Sequence, residues 1–142
     1  MVSESEIRNL LRDARTVAVV GMSDDPQRDS NGVARFLKRN GYGVIPVNPN
    51  LNSPVIGEQP YASLRDIQEQ VDVVVIFRRP EFVPEIAEDA IAIGARAVWM
   101  QLGVINQPAA ERTKEAGLMV VMDRCMAIEH RRLMRGAEPA LA

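Results

Sequence analysis

The chain has one cysteine, Cys125, in 142 residues, so no disulfide can close within it. A reducing cytoplasm is the simplest setting for such a sequence. It has one histidine, His130, and one His and one Cys with no clustered carboxylates do not make a credible zinc site. Aromatic residues make up only 4%, so the core must be assembled from Val, Ile, Leu, Ala and Met. Neither sign of charge is in excess: 17 Lys and Arg face 19 Asp and Glu, a net charge of -2. That balance excludes a general attraction to nucleic acid or to an anionic membrane, and any anion site must be local. No apolar run approaches the roughly 20 residues that span a bilayer. The first residues, MVSESEIRNLL, lack the basic and apolar regions of a signal peptide. There is no repeat, no low-complexity tract and no internal linker. Two phosphate motifs are also missing. Ser23 and Pro26 stand where G-x-G-x-x-G would need glycines after Gly21, and no Gly-Lys-Ser/Thr of a Walker A loop occurs.

What is present is a regular alternation. The composition, 46% hydrophobic and 25% charged, is that of an ordinary globular chain. Residues 1–135 read as one domain, and 136–142 as a frayed tail. Apolar positions Ile7, Leu10, Leu11 and Ala14 predict a helix over 3–14, opened by Ser3 and Glu6 as a capping box. Residues 16–20 are a continuous apolar run ending at Gly21, the signature of a strand buried on both faces. The pattern then repeats: helix 33–39, strand 42–47, strand 71–77, helix 81–93, strand 97–101, helix 108–116, strand 118–122 and a short helix from Ala127. Pro46 assigns the second strand to an edge or its end. Val55-Ile56 reads as a short extra edge strand. Strands alternating with helices predict an α/β fold: a Rossmann-like, doubly wound parallel sheet in a three-layer α/β/α arrangement.

In such sheets ligands sit outside the carboxyl ends of the strands, which directs attention to five loops. After the first strand, Gly21 permits a sharp turn, Ser23 and Ser30 offer hydroxyls, and Arg28 offers a planar fork of donors suited to phosphate. Ser30 or Asn31 would cap the following helix, whose free N–H groups attract anions. The same residues would equally serve a solvated loop. Asn48-Pro49-Asn50 combines a rigid turn with side-chain amides, and is also an ordinary turn sequence. Strand two ends without the acid that binds an NAD ribose, which disfavours NAD. Arg78 and Arg79 follow the most apolar strand and precede a helix N-terminus, where cations need an anionic partner or water; Glu81, Glu85 and Glu88 are alternative partners. Gly103 permits close approach by a ligand chain. Cys125 is either a packed small hydrophobe or, with His130 nearby in sequence, a nucleophile.

Five segments in order carry a resemblance: Val19-Val20-Gly21-Met22-Ser23, Gly41 to Pro49, Val71 to Arg78, Trp99-Met100-Gln101-Leu102-Gly103 and Val121-Met122-Asp123-Arg124-Cys125. Together they resemble the stand-alone CoA-binding domain family, similar to the N-terminal CoA domain of the succinyl-CoA synthetase α subunit. The resemblance covers residues 10–133. It implies coenzyme A as the ligand and a sheet order of 3-2-1-4-5-6, with Val55-Ile56 as strand three. By position, Gly21, Ser23, Arg28 and Ser30 would hold the phosphates, with Met22 between them. Asn48 and Pro49 would lie near the adenosine. Phe77, Arg78, Arg79 and Val83 would line the nucleotide and the start of the pantetheine arm, and Gln101 and Gly103 its distal part. Many relatives carry Lys near position 50, where this chain has Asn50; Arg28 or Arg79 would then meet the 3′-phosphate. The synthetase also uses a second domain with a phosphorylated histidine and a partner subunit, to which nothing here corresponds. The resemblance therefore implies CoA or acyl-CoA binding without ligase chemistry. The alternatives are an NAD(P)- or nucleotide-dependent enzyme and a carrier that forms a CoA disulfide through Cys125. A homo-oligomer and an unidentified protein partner are both compatible with it.

Overall fold

Five parallel strands form one sheet in the order β2-β1-β3-β4-β5 in the computed structural model, which describes residues 2–134. The elements in chain order are α1 (Glu4–Asp13), β1 (Thr16–Val20), α2 (Asp29–Arg39), β2 (Gly43–Val47), β3 (Val73–Ile76), α3 (Val83–Ala92), β4 (Ala97–Met100), α4 (Gln107–Glu115), β5 (Met119–Val121) and α5 (Met126–Met134). Single 3-10 turns occur at Leu64–Asp66 and Pro80–Phe82. The expected tail, 136–142, lies outside the described residues.

The strands are continuous apolar runs because both faces of the sheet are covered. All four residues of β3 and of β4 are buried. Side chains alternate between two cores. Val17, Val19, Val73, Val75, Ala97 and Trp99 face α1, α2 and α5. Ala18, Val20, Val74, Ile76, Val98 and Met100 face α3 and α4. The register is in step across the centre: Val19 pairs with Pro46 and Val75, and Val75 with Trp99. Pro46 lies in β2, an edge strand, where its missing N–H spoils no central ladder.

The capping box forms: the Glu6 N–H donates to Ser3 Oγ at 3.1 Å, and the Ser3 N–H donates to Glu6 Oε1 at 2.9 Å. At the other end of α1, the buried Tyr42 hydroxyl donates to the Leu11 carbonyl. Among the described residues no helix is long and apolar enough to cross a membrane.

Two expectations are corrected. Val55-Ile56 is not a third strand: Val55 makes one antiparallel bridge with Glu58. Among the described residues, the sheet gains beyond β2 only a parallel bridge from Val47 to Tyr61. The observed order is thus the expected one without its outermost strand. Ile56 and Gly57 both have positive φ, 49° and 78°, so the chain turns at this point instead of extending. The second correction concerns α2, which starts at Asp29, four residues before the expected Val33. Its N-cap is Arg28, which makes no side-chain capping bond, so neither Ser30 nor Asn31 caps it. The polar first turn, Asp29-Ser30-Asn31-Gly32, has loop composition but helical geometry, because its side chains bond back to the preceding loop.

Candidate functional site

The site begins at Gly21, where β1 ends. Its φ is +85°, a conformation that side chains disfavour. A Cβ there would stand 2.3 Å from the Phe77 carbonyl oxygen and 3.1 Å from Arg78 Cδ. Only glycine lets the ends of β1 and β3 lie this close. The Gly21 N–H donates to the Val47 carbonyl at 2.9 Å, and the Phe77 N–H to the Val20 carbonyl at 2.8 Å. Three strand ends are thereby clamped together at the switch point between β1 and β3, where the helices change faces.

The loop from Gly21 to Arg28 is held by side chains throughout. Asn48 Nδ2 donates to the Met22 carbonyl at 2.8 Å, and Asn48 Oδ1 accepts from the Asn50 N–H at 2.9 Å. The Ser23 N–H donates to Ser30 Oγ at 2.9 Å, and Asn31 Nδ2 donates to the Ser23 carbonyl at 2.9 Å. Arg35 ties Asn31 to the Pro26 carbonyl, at 2.8 and 2.9 Å. Arg28 is exposed and has no ion pair among the described residues.

A cleft of about 410 Å³ opens between this loop and the ends of β3, β4 and β5. Gly21, Ser23, Arg28, Asp29 and Ser30 line it from the loop after β1 and the first turn of α2. Val33, Phe77, Leu102, Val104 and Ile128 give it apolar surface, and Gln101 and Cys125 line it just after β4 and β5. Leu102 and Ile128 are 60% and 49% exposed, two of the most exposed large apolar side chains among the described residues. A second hollow of about 200 Å³ lies on the other side of Gly21 and includes Val47, Pro49, Ser63, Arg78 and Glu85.

The expected site residues therefore divide. Gly21, Ser23, Arg28, Ser30, Phe77 and Gln101 share the larger cleft, and Pro49 and Arg78 line the smaller hollow. Met22 and Val83 are fully buried and support the loops from behind. Both ends of the Asn48 side chain are occupied in holding the Gly21–Arg28 loop. Arg79 is 77% exposed and 4.0 Å from Glu81, while Arg78 lies 4.3 Å over the Phe82 ring. Glu88 pairs instead with Arg112, at 2.8 Å. Gly103 has φ +81° and donates its N–H to Asp123 Oδ1 at 2.8 Å, which ties the β4 loop to the β5 loop.

This arrangement offers donors and apolar surface within one cleft. The model of the CoA binding domain matches residues 15–131. The chain belongs to the CoA-binding domain family. It is 38% identical over 128 residues to the uncharacterized protein YneT of Bacillus subtilis, covering 90% of this chain and 94% of that one. A solved hypothetical protein from Pyrococcus horikoshii superposes with a TM-score of 0.90 at 40% identity, over 94% of this chain and 93% of that one. The family also reaches larger proteins: 84 residues are 30% identical to an ADP-forming acetate–CoA ligase of Archaeoglobus fulgidus, covering 58% of this chain and 12% of that enzyme.

Within the family fold, the cleft has lining residues that the sequence did not single out as ligand contacts: Asp29, Leu102 and Val104, which lie in strand-end loops that it did select, and Val33 and Ile128, which lie outside them. Val33 was read only as a helix start, and Ile128 sat unremarked in a tail with weak periodicity. Their signal was apolar character on segments next to strand ends. His130 is buried against the rings of Phe36 and Tyr42, at centroid distances of 5.5 and 5.7 Å, and does not line the cleft beside Cys125. Among the described residues no three His, Cys, Asp or Glu side chains gather as a metal site.

Proposed function

We propose that this protein binds coenzyme A or a CoA thioester in the larger cleft, as a binding module that catalyses no reaction. The observation that carries this reading is the cleft's mixed polar and apolar lining in a chain of the CoA-binding domain family. Ser23, Ser30, Arg28 and the first N–H groups of α2 are donors for phosphate oxygens. Val33, Phe77, Leu102, Val104 and Ile128 give the pantetheine arm apolar surface to cover. The nucleotide end of the ligand extends past Gly21 toward Arg78 and Pro49. The ligand comes from the cytoplasmic pool, the compartment that the lone cysteine suggests.

The test is equilibrium binding of CoA to the full chain, with thermal unfolding in parallel. Ligand at 100 times its dissociation constant stabilises a protein by about 2.7 kcal/mol. For a chain of this size that raises Tm by roughly 5–10 °C. No shift at millimolar CoA, or tighter binding of NADH than of CoA, sinks the reading.

A further inference from the structure

We propose that the cleft also accepts the disulfide form of CoA and that Cys125 exchanges with it, leaving one CoA covalently held. This rests on the CoA reading above and adds a modification site to it.

Cys125 is half-buried, lines the cleft, and stands between β5 and α5. Its carbonyl accepts the Glu129 N–H at 2.9 Å, so its backbone opens α5. Three bonds fix the segment around it. Trp99 Nε1 donates to the Arg124 carbonyl at 2.9 Å, the Met126 N–H to Gln101 Oε1 at 2.9 Å, and the Gly103 N–H to Asp123 Oδ1 at 2.8 Å. The thiol is thus mounted on a rigid part of the wall.

The second observation is Gln101, which is 4% exposed and lines the same cleft. Its oxygen is engaged by the Met126 N–H, so the NH2 is the remaining polar group. That NH2 has no partner among the described residues, and no fully buried side-chain nitrogen or oxygen lacks one. The NH2 therefore opens on the cleft. A donor that opens on the cleft beside a thiol matches a carbonyl acceptor in the ligand. The pantetheine arm carries two amide carbonyls close to its sulfur. The distances agree as well: β1 and β5 are three strands apart, about 14 Å at a spacing of about 4.8 Å. An extended arm anchored by its phosphates at Ser23 and Arg28 covers that span.

The exchange balances without an added oxidant. The Cys125 thiolate attacks one sulfur of CoA disulfide, a bond forms between Cys125 Sγ and that sulfur, and the original S–S bond breaks. The second CoA leaves as a thiolate and takes up the proton that Cys125 gave up.

The experiment is intact mass measurement of the full chain after incubation with CoA disulfide, without reductant. The expected gain is one CoA less two hydrogens, reversed by dithiothreitol and absent in Cys125→Ser. Because binding raises the local concentration of the disulfide, CoA disulfide should react at least roughly tenfold faster than cystine. Excess desulfo-CoA should remove that advantage. Thermal unfolding of the wild-type protein with reduced CoA separates the two ways of failing. Stabilisation by CoA with no adduct, or with equal rates for the two disulfides, overturns the exchange and leaves the CoA reading standing. No stabilisation overturns both. An adduct that persists in Cys125→Ser also overturns the exchange.

Discussion

At Gly21 two backbones pass closer than any side chain permits, and this single residue sets the shape of the site. Gly21→Ala must move the Phe77 carbonyl or give up the turn, since its Cβ would stand 2.3 Å from that oxygen. The left-handed conformation and the overpacking together should cost about 3 kcal/mol. Chemical denaturation measures this directly; a loss below about 1 kcal/mol would show that the strand ends yield easily. The charged residues of the same loop act on binding instead. Arg28 has no carboxylate partner to release, so Arg28→Ala should weaken CoA by roughly 1.5–3 kcal/mol and leave unfolding almost unchanged. Arg79, 77% exposed, should matter little. Asp29 gives a sharper contrast, because it puts a carboxylate into the polar lining beside Arg28. Asp29→Asn should tighten CoA roughly two- to fivefold, through about 0.5–1 kcal/mol of repulsion removed. Titration calorimetry on the three variants resolves these signs, and weaker binding by Asp29→Asn would mean that the phosphates sit elsewhere.

Among the elements, α5 carries both the wall of the cleft and the tie to the N-terminus. Glu129, with a side chain 10% exposed, accepts from Arg132 at 2.7 Å and from Arg124 at 3.0 Å, and Arg132 also reaches Glu4 at 3.1 Å. The Arg132 hydrogen bond, aided by Arg124, holds the Glu129 carboxyl below the usual carboxylate range despite its burial. A carboxylate with a depressed folded pKa stabilises the fold above its unfolded value, about 4.3, and loses that contribution as pH falls through the lower folded value. Glu129→Gln should therefore be less stable than wild type near neutrality, and the gap should close in acid. A gap of constant size from pH 7 to pH 3 would assign the effect to packing. The elements also show what the sequence made legible. Strands were readable because two-sided burial demands unbroken runs such as Val73–Ile76. The start of α2 was not, since Asp29, Ser30 and Asn31 are loop formers by composition. Their helical state depends on bonds to Ser23, which only the folded loop supplies. Val55 and Ile56 have strand composition, but the positive φ at Ile56 breaks the run. At the site, the polar lining was legible because Ser and Arg carry recognisable chemistry. Its apolar lining was not, because Leu102 and Ile128 look like any other apolar residues until the sheet brings the β4 loop and α5 together.

The whole molecule gathers its cleft from loops more than 100 residues apart in sequence, at one edge of the sheet. A ligand that spans the cleft must therefore protect segments that share no local contact in the chain. With CoA bound, hydrogen exchange should slow together in residues 21–30, 101–104 and 123–126. The opposite ends of the strands, at residues 41–43, 94–96 and 117–118, should exchange as before apart from any change that follows global stability. A ligand held only by its phosphates would protect 21–30 and leave the loops after β4 and β5 unchanged. The joint response thus separates binding along the full cleft from capture at the α2 N-terminus. It also bears on the thiol, since protection around Cys125 requires the far end of the arm to reach β5. Protection at 21–30 alone would keep the anion site and remove the pantetheine arm from the loops after β4 and β5.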